Sequence, residues 1–414
     1  MSFFEKTIFT GFSPNLRKKE LNIALNFLIN PLKWITIIKG DEEKKVKEYL
    51  ETKFKNHKVT LFDSGRTSLN IALQALGATK DDEILVQAYT CMVVSNAINF
   101  TGAKPVYVDI KNDFNMDPDD LRKKITPRSK VIIIQHTFGK PADLDKIIKI
   151  AKENNLKIIE DCAHSIGAKH KDNLLGTFSD IAMFSFGSDK VISCNRGGAL
   201  ITKDNYIHKK INDYQRNLPL PKLNKTITHL IHYPIFYIGK KLYSIKIGKI
   251  LLATTKKLNL TNKIIYKKEK TGERVSFYPS KLANSLAKIL YSQLQDLEEN
   301  IKHRKKIATI YNKQLNNQKI IKPRFDNESL FLRYAILSSK PEKIKSYAKK
   351  ENIILGDWYN QAIAPRGVDI KSSHYIAGSC PKAEEISSKS INLPTNINIT
   401  VDDANRIVNL INKF

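Results

Sequence analysis

The chain has 414 residues, 42% hydrophobic and 27% charged, with a formal net charge of +28. That length suits two or three domains, and the apolar content excludes a disordered chain. The charge raises nucleic acid as a partner, but only 12 of the 69 basic residues are Arg, whereas nucleic-acid readers favour Arg for bidentate and stacking contacts. Lys, Ile and Asn abound together, so the excess reads as compositional drift and nucleic acid is not the expected partner. Cys91, Cys162, Cys194 and Cys380 are scattered with no C-x-x-C pair, which predicts neither a zinc site nor a disulfide framework and fits a reducing, cytoplasmic setting. The N-terminal stretch lacks a signal-peptide core, and no uncharged apolar run reaches the ~18 residues of a membrane span.

In chain order, residues 1–55 read as an N-terminal arm followed by helices. The region 56–213 alternates short apolar runs with helical periodicity. The expected strands are Val59–Phe62, Glu83–Ala88, Pro105–Ile110, Lys130–His136, Leu156–Asp161, Ile181–Phe186 and Gly198–Thr202. Between them, Leu69, Ala72, Leu73 and Leu76 share a helical face, as do Leu144, Ile147, Ile148 and Ala151. Such alternation predicts an α/β domain with a mainly parallel sheet flanked by helices.

Segment 214–275 breaks the pattern. Its stretch 214–270 carries 13 Lys or Arg and one acid, Glu269, among many apolar and aromatic residues. It reads as a surface subdomain or a subunit-interface arm. Lys240, Lys241, Lys246 and Lys249 around Tyr243 and Ile250 also suit an anionic membrane surface, or the lysines neutralise a nucleotide diphosphate. From 276 to 414, one long apolar stripe (Ala283, Leu286, Ala287, Leu290, Leu294, Leu297) leads into a smaller C-terminal α+β domain. Its last helix should open on a Thr400–Asp403 capping box.

Four local patterns suit a phosphate-bearing cofactor, each weak alone. Ser64-Gly65-Arg66-Thr67-Ser68 is a strand-to-helix turn, either a phosphate cradle or an ordinary capped turn. Ile158-Ile159-Glu160-Asp161-Cys162-Ala163-His164 places carboxylates at a strand's end, to pair with a ring nitrogen or merely to cap a helix. Phe184-Ser185-Phe186-Gly187-Ser188-Asp189-Lys190 ends a strand in a hydroxyl and brings a lysine in the next loop; a lysine nucleophile needs a lowered pKa. Arg196-Gly197-Gly198 closes that loop.

Taken in this order and spacing, these motifs resemble the DegT family of sugar aminotransferases, a branch of the fold-type I pyridoxal-phosphate (PLP) enzymes. SGRTSLNIALQALG at 64–77, IEDCAHSIGA at 159–168, GTFSDIAMFSFGSDK at 176–190 and RGGALIT at 196–202 carry the resemblance, which runs over nearly the whole chain except the middle insertion. It implies PLP as cofactor and Lys190 as its covalent lysine and proton carrier. Asp161 would pair with the ring nitrogen and His164 would lie over the ring. Gly65, its neighbours Arg66 and Thr67, and Ser185 would hold the phosphate. The implied reaction moves an amino group from L-glutamate to a keto carbon of a nucleotide-activated deoxy sugar, for surface polysaccharide or glycoconjugate assembly, in a homodimer. Three positions depart from the family: Arg66 replaces a threonine, Cys91 an aromatic residue over the second ring face, and Pro279-Ser280-Lys281 an Asn-Tyr-Arg stretch that reaches the partner subunit's phosphate. Arg66 is expected to supply the missing phosphate contact. The competing readings are a non-catalytic binding or regulatory relative and a membrane-surface adaptor.

Overall fold

The computed structural model describes residues 6–414; the tip of the N-terminal arm, residues 1–5, lies outside the described residues. The seven apolar runs form one sheet, in the spatial order Lys58–Phe62, Gly198–Thr202, Ile181–Ser185, Lys157–Asp161, Ser129–Gln135, Glu83–Gln87 and Lys104–Val108. Every neighbouring pair is parallel except the two made by Gly198–Thr202. Glu83–Gln87 and Gly198–Thr202 are buried at every residue, as strands covered on both faces must be. Alternate side chains serve opposite cores. Leu85, Ile132 and Ile134 pack with Leu144, Ile147, Leu286 and Leu290. Ile84, Val86, Val131 and Ile133 pack with Leu69, Ala72 and Leu73 of helix Gly65–Ala75.

The apolar stripe after 276 is divided between helices Asn284–Gln295 and Leu297–Gln314. Asp296 at the junction is held by Arg17 at 2.6 Å and Lys19 at 3.2 Å. Beyond it, strands Ile320–Ile321, Arg333–Ser338 and Ser390–Pro394 make an antiparallel sheet. Ile307, Tyr311, Ile336, Ile344, Ile391, Ile407 and Ile411 form its core. Helix Val401–Asn412 opens on the Thr400–Asp403 capping box, with both reciprocal bonds present. Two short parallel pairings join the lobes. Ile8–Phe9 pairs with Ile353–Ile354, and Ile363–Ala364 with Thr90–Cys91.

The basic insertion is mostly helical. Helix Leu223–Lys241 packs along helix Lys18–Ile29 and against helix Ile247–Lys257. Gly248 lets these last two turn back on each other: a Cβ there would sit 2.0 Å from the Gly239 carbonyl oxygen. Of the four lysines read as membrane-facing, Lys241, Lys246 and Lys249 are exposed and Lys240 is not. Lys240 points inward, its Nζ donating to the Ser13 carbonyl at 3.3 Å and lying 5.7 Å from the Phe9 ring centre. Burial lowers its pKa to about 8. Tyr243 packs edge-on against Phe9 at 4.9 Å, while Lys246, Lys249 and Ile250 are exposed. Among the described residues no helix is long and apolar enough to cross a membrane.

Gly248→Ala should force the two insertion helices apart and destabilise the protein by about 1–3 kcal/mol, the usual cost of overpacking. A lowered melting temperature without change in the secondary-structure spectrum would report it.

Candidate active site

Parallel strands present their carboxyl ends along one edge, where α/β sheets bind ligands. Here those ends bring together residues far apart in sequence. Ser64 and Gly65 follow the first strand, Cys91 follows Glu83–Gln87, Gln135 ends Ser129–Gln135, Asp161 ends Lys157–Asp161 and Ser185 ends Ile181–Ser185. All line one cleft with His164, Asp189, Lys190 and Arg196, and with Arg333, Trp358 and Tyr359 from the C-terminal lobe.

The turn at Ser64–Gly65 is built for close approach. Ser64 caps the helix, its Oγ accepting from the Thr67 N–H at 3.3 Å, which leaves the N–H groups ahead of Thr67 without intrahelical partners. A Cβ on Gly65 would lie 2.8 Å from Ser185 Cβ and 3.0 Å from its Oγ. Only glycine therefore lets the helix start and the Ser185 hydroxyl converge, and together they make a cradle of phosphate size. Arg196 buttresses it from behind, with its guanidinium 3.0 Å from Asp63 and stacked over Phe277 and Tyr278. Ser280 of the departing Pro279-Ser280-Lys281 stretch accepts from the Asp63 N–H at 3.2 Å.

Two side chains expected at the phosphate have other partners in the structure. Thr67 turns away from the cleft, its hydroxyl donating to Asp63 Oδ1 at 2.6 Å; it braces the turn. Arg66 lines the cleft, but its guanidinium is spent on Glu269, 3.1 Å away, and on the Ile264 carbonyl, not held open for a phosphate.

Asp161 is buried at the cleft floor. Its Oδ2 accepts from Gln135 Nε2 at 2.8 Å and its Oδ1 from the Ala163 N–H at 3.0 Å. Burial pushes its pKa up, against those bonds and the nearby Lys190 charge. Burial pushes Lys190 down, opposed by Asp161 and Cys91 and helped by Arg333. Each group alone is thus biased toward its neutral form, which gives a nucleophilic amine. It also gives a carboxylate whose ionisation is favoured once a cationic ring nitrogen stands beside it. His164 is kept neutral by burial and by the charges of Lys190 and Arg333. Its Nδ1 accepts from the Phe138 N–H at 3.3 Å, and its ring lies 5.9 Å from that of Phe138, interplanar angle 5°. Cys91 is a buried thiol with a raised pKa, again from desolvation.

Gln135 Oε1 and Asp189 Oδ1 are buried without hydrogen-bond partners in a cleft they both line, which suits a polar ligand. The donor set, cradle and lysine–carboxylate pair all fit PLP. Glu160, one residue before Asp161, has a different task. It is fully buried and takes the N–H groups of Gly176 and Phe178, both at 2.8 Å, with the Ser179 hydroxyl at 2.9 Å and His136 Nε2 at 3.2 Å. Its donor atoms cluster with those of His136 and Cys162, yet its oxygens are already engaged in pinning the 174–179 turn.

Gln135, Arg333, Trp358 and Tyr359 were not singled out from the sequence. Arg333 is buried, 3.5 Å from Asp189 and over the Trp358 ring at 5.5 Å. Only its position in an apolar strand marks it in the sequence.

A sheet with one antiparallel strand, a cradle of phosphate size and a lysine and a carboxylate buried in one cleft are what the resemblance to fold-type I PLP proteins implies. The chain belongs to the DegT/DnrJ/EryC1/StrS aminotransferase family, whose model matches residues 21–231 and 252–412. PLP is accordingly its cofactor. The chain is 37% identical over 204 residues to the GDP-perosamine synthase of Escherichia coli O157:H7, a stretch covering 48% of this chain and 54% of that enzyme. It thus matches about half that relative's length. An uncharacterised protein of Methanocaldococcus jannaschii is 27% identical over 422 residues, 97% of this chain and 96% of its own. The crystal structure of NtdA from Bacillus subtilis with bound cofactor PMP matches with a TM-score of 0.76 at 22% identity, over 98% of this chain and 84% of that one.

Lys190→Ala should fold normally yet lose the visible absorbance band of PLP-loaded protein. The rate of PLP capture should reach its half-maximum below pH 10.5, the value of an unburied lysine, because the neutral amine forms earlier; a stopped-flow pH series reads this directly. Asp161→Asn should slow turnover ~10²-fold while changing PLP affinity much less, checked by paired kinetics and cofactor titration.

Proposed function

We propose that the chain is a PLP-dependent aminotransferase that moves an amino group from L-glutamate to a keto carbon of a nucleotide-activated deoxy sugar, for surface polysaccharide or glycoconjugate synthesis. The observation that carries this reading is the burial of Lys190 and Asp161 in one cleft beside the Ser64–Gly65 cradle. The substrate class is supported by membership of the family and by the relative named for a GDP-linked sugar.

When bound, PLP supplies the electron sink that makes a substrate C–H bond acidic. The protein's part is positioning and proton handling. The Ser64–Gly65 cradle and Ser185 hold the phosphate end, and Asp161 holds positive charge at the ring nitrogen. Lys190 Nζ, neutral at lower pH than a surface lysine, takes a proton from one carbon and returns it to another. Neutral His164, braced by Phe138 and by Tyr359 at 6.2 Å, offers a flat apolar surface to the ring without competing for protons.

Arg333 supports the choice of donor. It brings a buried guanidinium to the cleft, with Asp189 as its long-range partner, so a carboxylate of the amino acid can complete its coordination. Glutamate should therefore outcompete simple amines as donor.

Purified protein given PLP, L-glutamate and a panel of UDP-, dTDP- and GDP-linked 4-keto and 3-keto sugars should release 2-oxoglutarate and an amino sugar detectable by mass spectrometry. No product from any keto sugar, with a competent glutamate half-reaction, would move the acceptor outside this class. Arg333→Lys should raise the KM for glutamate ~10-fold while leaving that for the sugar nearly unchanged.

A further inference from the structure

The loop that follows helix Ile247–Lys257 returns to the cleft, and Asn262, Lys263, Ile264 and Ile265 form part of its wall. Three attachments hold it there. Asn262 Nδ2 donates to the carbonyl and side-chain oxygens of Asn195, at 3.1 and 2.9 Å, in the loop just past Lys190. The Glu269 carbonyl accepts from Asn96 at 2.8 Å. Glu269 itself, the one acid among the 13 cations of 214–270, is fully buried. Its carboxylate accepts from Tyr278 Oη at 2.9 Å and the Tyr266 N–H at 2.7 Å, and pairs with Arg66 at 3.1 Å.

The charge arrangement follows from this. A loop so basic would be repelled by Arg66 and Arg196, and the single acid sits where it cancels that repulsion. Because Arg66 is neutralised by Glu269 and occupied by Ile264, it leaves little charge for an anion at the helix start. Lys263 is the cation next along the wall. Its Nζ is held by the neutral Asn259 amide oxygen at 2.5 Å, and no carboxylate pairs with it among the described residues. Lys263 lines the cleft, and a phosphate group entering there can draw its ammonium from the exposed Asn259 bond.

We propose that this loop is a wall of the chain's own active site and completes its anion-binding end in cis. Glu269 latches the loop to Arg66, and Lys263 is the cation that meets a phosphate group, either that of the cofactor or the diphosphate of the sugar nucleotide. The inference rests on the PLP aminotransferase reading above, and assigns to the insertion a recognition role that the resemblance alone does not give. Glu269 is a positioning residue, acting through the loop it holds.

The test compares wild type, Lys263→Ala and Glu269→Gln by titration with PLP and with pyridoxal, which lacks the phosphate, and by sugar-nucleotide kinetics. Weakening of PLP about tenfold in Lys263→Ala with pyridoxal unchanged assigns the cation to the cofactor phosphate. A rise of about tenfold in sugar-nucleotide KM at unchanged PLP affinity and kcat assigns it to the diphosphate. Glu269→Gln loses the charge and, because an amide has one accepting oxygen, one of the bonds from Tyr278 and Tyr266, and should shift the same constant in the same direction. Unchanged constants in Lys263→Ala overturn the proposal. Mixed oligomers of differently tagged Lys190→Ala and Lys263→Ala subunits then test the cis assignment. The competent sites, those of the Lys263→Ala subunits, should keep the Lys263→Ala constants; wild-type constants at those sites would show that the loop acts on a neighbour, and overturn it. Wild-type protein that fails to bind PLP would count against the aminotransferase reading instead. Pyrophosphate binding by wild type and Lys263→Ala would still decide the role of the loop.

Discussion

The position of Lys190 depends on a guanidinium with no acid beside it. Arg304 is 1% exposed and donates only to neutral acceptors. These are Asn300 Oδ1 at 2.6 Å, Asn15 Oδ1 at 2.8 Å, the Leu332 carbonyl at 2.9 Å, Thr395 Oγ1 at 3.2 Å and the Val191 carbonyl at 3.4 Å. Desolvation lowers its pKa to about 9. Asn15 in turn donates to the carbonyls of Lys190, at 2.6 Å, and Val191, at 2.8 Å. One buried cation thus ties the N-terminal arm, the lysine loop, the long helix and the C-terminal lobe into a single frame. An orphaned buried donor or acceptor costs more than a typical hydrogen bond contributes, so the frame holds the lysine's backbone in one place.

That rigidity matters because the chemistry is electrostatic. The same burial moves Lys190 and Asp161 in opposite directions, and both toward neutrality. A cationic ring nitrogen reverses the cost for Asp161, because a buried carboxylate gains most from an opposite charge that water cannot screen. The cleft is therefore matched to the cofactor more closely than to its own empty state. The C-terminal lobe adds what the sheet cannot. Arg333, Trp358 and Tyr359 arrive from beyond residue 330 to line the same cleft, and the Thr90–Ile363 pairing joins the two lobes in register.

The sheet was legible because buried parallel strands leave a plain signature. All seven apolar runs became strands, with ends shifted by a residue or two where a turn took over. Ser185, Asp161 and Lys190 stood at readable spacings, and the family resemblance gave them roles that spacing alone left open. What escaped was non-local. Nothing around Arg66 reveals that its guanidinium meets Glu269, about two hundred residues away in the chain. Nothing around Lys240 shows that its ammonium turns inward to Ser13 and Phe9. The apolar stripe from Ala283 continued as expected, but its break at Asp296 is set by Arg17 and Lys19 from the N-terminal helix. A basic segment of helical period looks alike whether it faces a membrane or folds back over a cleft; the loop around Glu269 takes the second course.

The central claim is that Lys190, and no other of the chain's many lysines, is the residue that carries the cofactor. Borohydride reduction of PLP-loaded protein, followed by proteolysis and mass mapping, tests it most directly. The account predicts a phosphopyridoxyl mass on the peptide containing Lys190 alone, and its loss when L-glutamate is added before reduction. A label on Lys263 or another lysine, with the Lys190 peptide unmodified, would contradict it.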